Sequence, residues 1–112
     1  MNVPVLKPLD TATVLEACRA ADAVITAENH SVIGGLGSAV AEAIADHGLG
    51  RRIVRIGIRD EFAESGSRSY LFSRYGLSVQ RIVEVAWQLL GRPGPAPLAE
   101  DVAPADGTYA PV

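Results

Sequence analysis

The stretch "VITAENHSVIGGLGSAVAEAIADHG", Val24 to Gly48, decides how this chain is read. Its front end belongs to "AVIT", Ala23 to Thr26, an apolar run without alternation, as expected for a parallel strand covered on both faces. The segment Glu28 to Ile33 then leads to Gly34, Gly35 and Gly37. After Gly37 the spacing of Leu36, Ala39, Val40, Ala43 and Ile44 predicts an amphipathic helix, closed by Gly48 in the left-handed conformation. Strand, glycine loop and helix together outline a phosphate site. The first question is whether a nucleotide sits there.

A dinucleotide fingerprint needs Gly-x-Gly-x-x-Gly directly after its strand, so that the backbone approaches the pyrophosphate and the helix N-terminus points at it. Here Val40 stands at the third glycine position, and the glycines come late, after Glu28 to Ile33. Asp60, beyond the next strand, is the one feature in favour, placed where a ribose-binding acid lies. A Walker loop is excluded because no Lys-Ser or Lys-Thr follows the glycines. The alternative is structural: Gly34, Gly35 and Gly37 relieve steric conflict where loop meets helix.

Outward from this unit, Asp10 predicts an N-cap for a helix over Thr11 to Ala21, with Cys18 on its buried face. "RIVRIGI", Arg52 to Ile58, alternates as a second strand whose arginines fit an edge or partly exposed face. "DEFAESGS" is loop, "SRSYLFSRYG" a short helix ending at Gly76, and Ser78 caps a last helix that Gly91 and Pro93 stop. "VPVLKP" at the start is a candidate edge strand. The order helix, strand, helix, strand, helix, helix predicts an α/β layer structure. Residues 1 to 91 form one domain, and 92 to 112, holding five of the seven prolines without apolar periodicity, read as a disordered tail.

Composition removes several function classes. A formal net charge of −3 gives no positive field for nucleic acid or an anionic membrane, and no apolar run is long enough to span a bilayer. One cysteine forbids an internal disulfide, and the N-terminus carries no secretory pattern, so a reduced cytoplasm is expected. Cys18 reads as a small core side chain rather than a reactive thiol. His30 and His47, with Glu28 and Asp46, lack zinc-ligand spacing. Glu61 and Glu64 in "EFAES" resemble a catalytic acid pair only superficially, since two acids in a polar loop are usually just solvated. Arg51, Arg52, Arg55 and Arg59 read as a solvated or partner-facing strand edge.

Taken together, "KPLD", "ENHSVIGGLGSAVAEAIADHG", "RIGIRDEFAESGS" and "LFSRYGLSVQRIVEVAWQLL" resemble the C-terminal domain of the transketolase family of thiamine-diphosphate enzymes, over about Lys7 to Leu90. The acid-x-His before Gly-Gly-Leu-Gly, the "ESG" after the second strand and the "YGL" before the last helix fall in that family's order. Glu28-Asn29-His30 is more similar to split bacterial transketolases than to dehydrogenase beta subunits. The resemblance implies a three-layer α/β/α domain on a mixed, mostly parallel five-stranded sheet. It also implies that other domains hold thiamine diphosphate and magnesium, through a Gly-Asp-Gly motif that this chain lacks.

On that resemblance no residue here is catalytic, cofactor-binding or metal-binding. Glu28, His30, Gly34, Gly35, Gly37, Glu64, Ser65 and Gly66 are expected to form scaffold and interdomain or intersubunit loops. His30, at the C-terminal end of a parallel strand, is also placed for a minor role near a substrate entrance. Two functions from different classes follow. One is the C-terminal part of a transketolase, inactive alone, joining chains that carry the cofactor domains in a homo- or hetero-oligomer. The other is a stand-alone binding or regulatory module, or a remnant, derived from that domain.

Overall fold

The computed structural model describes residues 1–98. The first helix, α1 (Thr11–Ala20), starts where Asp10 accepts from the Thr13 hydroxyl at 2.8 Å and the Thr13 N–H at 3.1 Å. Those two bonds, the hydroxyl first, hold the Asp10 carboxyl below its ordinary pKa. Val14, Leu15 and Cys18 form the buried stripe, and burial pushes the Cys18 thiol up.

Two strands follow, β1 (Ala23–Ser31) and β2 (Arg52–Ile58), paired in parallel with Ala23 opposite Arg52 and Ala27 opposite Ile56. The register then slips: between Ala27 and Ser31 β1 advances four residues while β2 advances two, to Ile58. β1 is therefore longer than the apolar run that predicted it, and "ENHS" is strand rather than loop. An irregularity of this kind bends the strand and re-aims a side chain. Here the segment it re-aims holds Glu28.

The connecting helix, α2 (Leu36–Asp46), begins ahead of Gly37 rather than after it, so Gly37 lies inside the first turn and is buried. Gly48, at φ +60°, carries the chain out of it. Ser67 caps α3 (Arg68–Arg74) by accepting from the Tyr70 N–H, and Ser78 caps α4 (Val79–Leu89) by accepting from the Arg81 N–H at 3.2 Å.

Val14, Cys18, Val40 and Ile44 make one core cluster, with Leu9, Val24, Leu36, Leu49 and Ile53 packed against it. α1 and α2 thus share one side of the sheet. α4 packs on both strands through its own buried Val85 and Leu89, giving the third layer. The α/β architecture is the one expected, but the described residues form a two-stranded sheet rather than a five-stranded one. "VPVLKP" makes no strand. Pro4 and Pro8 cannot donate to a ladder, and residues 6 to 9 are in turns.

The expected tail begins in contact with the domain. Trp87 Nε1 donates to the Pro93 and Gly94 carbonyls at 3.3 and 3.2 Å, and Gln80 Nε2 donates to the Pro97 carbonyl at 3.4 Å. The remainder of the tail, from residue 99, lies outside the described residues.

Candidate functional site

The junction between β1 and α2 is built around Glu28. Its two carboxylate oxygens accept from the first turn of α2: Oε2 from the Leu36 N–H at 2.7 Å and Oε1 from the Gly37 N–H at 2.9 Å. A strand carboxylate therefore does the work that a local N-cap side chain does elsewhere, at the positive end of the helix. Gly35, the N-cap residue itself, offers no side chain for that task. It is also the only residue that fits, since a Cβ there would overlap the Glu28 carboxylate.

Two more glycines let the layers approach. A Cβ on Gly37 would stand 2.8 Å from both Thr26 Oγ1 and Arg55 Cδ, so α2 lies directly on the strands. A Cβ on Gly57 would meet the His30 carbonyl oxygen at 2.9 Å, a main-chain atom that cannot rotate away. Thr26 is 6% exposed, and its hydroxyl has no hydrogen-bond partner among the described residues.

Ser38 and Arg55 close the loop that follows β1. Ser38 Oγ donates to the Val32 carbonyl at 2.9 Å and accepts from the Gly34 N–H at 3.1 Å and from Arg55 Nη1 at 3.1 Å. Arg55 Nη1 also reaches the Val32 carbonyl at 3.0 Å. Gly34, at φ +73°, makes the turn that a side chain would resist.

Of the residues singled out in the sequence, the structure brings Glu28, His30 and Gly35 together along one open cleft of about 560 Å³, whose far wall includes Phe72 and Leu77. His30 is exposed. Its Nδ1 lies 2.9 Å from the Ser31 carbonyl, which can only accept, so Nδ1 donates in that contact.

Glu64, Ser65 and Gly66 are elsewhere, in the exposed loop before α3, and do not line that cleft. Glu64 accepts from the Tyr70 hydroxyl at 3.0 Å and from Arg74 Nε at 3.1 Å, while its own N–H donates to the Tyr75 hydroxyl at 2.8 Å. The hydrogen bond to Glu64, then its charge, raises the Tyr70 pKa. Gly66 lies beneath the Tyr70 ring, where a Cβ would come within 2.6 Å of Cδ1.

Arg52, Arg55 and Arg59 of the basic run are exposed, as expected, while Arg51 and Arg52 are also tied to helix ends. Arg51 donates to the Cys18 and Arg19 carbonyls, both at 3.0 Å, in the last turn of α1. Arg52 donates to the Leu89 carbonyl at 3.2 Å, at the end of α4. These guanidiniums satisfy helix carbonyls at the negative ends of two dipoles. Sequence reasoning also missed Thr26, Ser38 and Gly57, and it named Arg55 only as part of the basic run. Ser38 stood in the right place as a polar residue just inside the helix; nothing local marked the others.

The geometry at the start of α2 disfavours a bound phosphate there. The N-terminus of α2, the natural seat for a phosphate, holds the Glu28 carboxylate, which would repel one. Among the described residues no group of three or more His, Cys, Asp or Glu side chains is arranged to hold a metal ion. Asp60, the candidate ribose acid, is exposed.

Comparison with known proteins agrees with this scaffold. The family model described as "Transketolase, C-terminal domain" matches residues 1–82. A 6-deoxy-6-sulfo-D-fructose transketolase subunit from a Clostridium species is 42% identical over 82% of this chain and 28% of that protein. A putative transketolase C-terminal section from Methanocaldococcus jannaschii is also 42% identical, over 75% of this chain and 26% of the relative. A solved structure titled "Split gene transketolase, inactive beta4 tetramer" superposes with a TM-score of 0.68 at 41% identity, covering 76% of this chain and 27% of that one. The chain belongs to the transketolase C-terminal domain family. It spans about a quarter of the length of these relatives.

Proposed function

We propose that this chain is the C-terminal, non-cofactor-binding part of a thiamine-diphosphate-dependent transketolase, acting in the cytoplasm by completing an assembly with chains that carry the cofactor domains. The observation that carries this reading is the Glu28 carboxylate seated on the N-terminus of α2. The anion position of an α/β unit has been turned into an internal brace. Thiamine diphosphate and magnesium, which together supply the carbanion-stabilising centre of ketol transfer between sugar phosphates, are then held by the partner chains. This chain's residues hold shape.

The contact surface falls on what the brace leaves outside. His30 is exposed at the end of β1, Ile33 and Phe62 are large apolar side chains in solvent, and the exposed Glu64 to Gly66 loop is tied to α3 through Tyr70 and Arg74. Exposed apolar groups rimmed by polar ones mark protein–protein surfaces.

Titrating the purified chain into partner chains that carry the cofactor domains should raise ketol transfer between sugar phosphates to a plateau at equal subunit amounts. Activity unchanged across the titration, with the partners shown to bind thiamine diphosphate, would rule the proposal out.

A further inference from the structure

The last helix carries a second piece of the chain on its outer face. α4 ends in a paired cap: the Gly91 N–H donates to the Gln88 carbonyl at 3.0 Å and the Arg92 N–H to the Trp87 carbonyl at 3.1 Å, with Gly91 at φ +63°. That cap reverses the chain. Pro93 to Pro97 then run back along α4 from Trp87 toward Gln80, as a segment beyond the residues that the family model matches.

Segment and helix face are chemically complementary. Pro93, Pro95 and Pro97 have no N–H, so the segment is rich in carbonyl acceptors and poor in donors. The helix face supplies the donors. Trp87 Nε1, which can only donate, reaches the Pro93 and Gly94 carbonyls at 3.3 and 3.2 Å, and Gln80 Nε2 reaches the Pro97 carbonyl at 3.4 Å. Glu84 Oε1 also accepts from Gln80 Nε2 at 3.4 Å, so two acceptors fix which end of the amide faces the segment. The spacings agree as well. Trp87 and Gln80 lie about two helical turns apart, roughly 10.5 Å, and the Gly94 and Pro97 carbonyls are separated by one turn of polyproline II, roughly 9.3 Å. Proline fixes its own φ and holds the residue before it extended, so Pro95, Ala96 and Pro97 favour that geometry before they dock. Ala96 and Pro97 are half-buried where Gly91 to Pro95 are exposed, which sets the segment down on the surface at the Gln80 end.

We infer that the outer face of α4, with Trp87 and Gln80 as its donors, is a binding site for an extended proline-rich peptide, and that Pro93 to Pro97 of this same chain is its occupant. The inference is independent of the assembly proposed above. An aromatic surface that donates to the carbonyls of a proline-rich segment is a recurring mode of peptide recognition, and a segment already extended loses little entropy when it docks. Filled from within the chain, the site is closed to any other proline-rich segment until its own lifts. A connection this short gives an effective concentration in the millimolar range, so a free peptide of the same sequence fills the site only at comparable concentration.

Trp87 is the only tryptophan in the chain, so a single indole N–H resonance reports the site in the full-length protein. Pro95→Gly with Pro97→Gly loosens the segment and leaves every residue of α4 in place. Pro104→Gly with Pro111→Gly, further along the chain, is the control. Solvent exchange of the indole N–H, followed by NMR, should be about threefold or more faster in the first variant than in the wild type, and unchanged in the second. A capped peptide with the sequence of residues 93–98, added to the first variant at about 10 mM, should restore the slow exchange. Equal exchange in the wild type and the first variant, or no restoration by the peptide, overturns the inference. So does wild-type protection that falls on dilution, which would assign the occupant to a second copy of the chain.

Discussion

The two loops that the sequence singled out are built in opposite ways. At the β1–α2 junction, side chains from strand and helix interlock: Glu28 braces α2, and Gly35, Gly37 and Gly57 allow approaches that a single added carbon would prevent. Around Glu64 the partners are as well matched, yet Tyr70, Arg74 and the loop all face solvent. Burial rather than bond count separates them. A hydrogen bond that excludes water leaves an unsatisfied group when broken, whereas an exposed one exchanges with water.

The sharpest way to break that comparison is to add one carbon on each side of it. Gly57→Ala drives a methyl against the His30 carbonyl inside the sheet and should cost about 2 to 3 kcal/mol in urea unfolding. Gly66→Ala meets the exposed Tyr70 ring and, at ordinary contact distance, Leu71; the ring can yield by loosening its solvent-exposed bond to Glu64, so the loss should be well under half as large. Equal losses would mean that the loop is as rigid as the junction.

Next in size is the brace itself. Glu28→Ala strands the Leu36 and Gly37 N–H groups and should destabilise by about 1 to 3 kcal/mol, with Glu28→Gln, which keeps one acceptor, losing less. A Glu28→Ala protein as stable as the wild type would reduce the brace to an incidental contact.

How far this was legible in the sequence depends on how local each signal is. Asp10 and Ser78 were readable as caps because a cap and the N–H it accepts from lie three residues apart. Gly48 and Gly76 were readable as helix ends for the same reason. Glu28 was picked out only by its place in a motif, and its role was not: it lies eight and nine residues from the amides it binds, beyond any capping pattern. The length of β1 was missed because "ENHS" is polar, and its pairing depends on a register irregularity that only the partner strand reveals. The arginine run was read as an exposed edge, and Arg52, Arg55 and Arg59 are exposed, but the tethering of Arg51 and Arg52 was not legible. Their acceptors, at the ends of α1 and α4, are more than thirty residues away in the chain.

A smaller effect of the opposite sign tests whether the junction is already optimal. Thr26 Oγ1 is buried beneath α2 without a partner among the described residues, so Thr26→Val, nearly the same shape, should stabilise the fold by about 1 kcal/mol in the same urea assay. A loss instead would show that the hydroxyl is satisfied in solution, by an ordered water, and that the junction is wetter than its packing implies.

The smallest effect probes the exposed loop and is read from a titration. Tyr70 donates to Glu64, which favours the neutral phenol over the phenolate and raises its pKa. A group whose folded pKa is raised adds stability that is complete below its unfolded value, about 10 for tyrosine, and is lost as pH climbs through the folded one. The stabilising window of this contact therefore closes on the alkaline side, and acid leaves the Tyr70 phenol in its preferred form. Following the Tyr70 ring carbons by NMR, the midpoint should fall toward the ordinary tyrosine range in Glu64→Gln, which removes the charge and keeps the shape. An unmoved midpoint would show that Glu64 does not hold Tyr70 in solution. The loop would then lack the one contact that ties its carboxylate to the α3 hydroxyl, and its order would rest on Arg74 and on the Tyr75 hydroxyl alone.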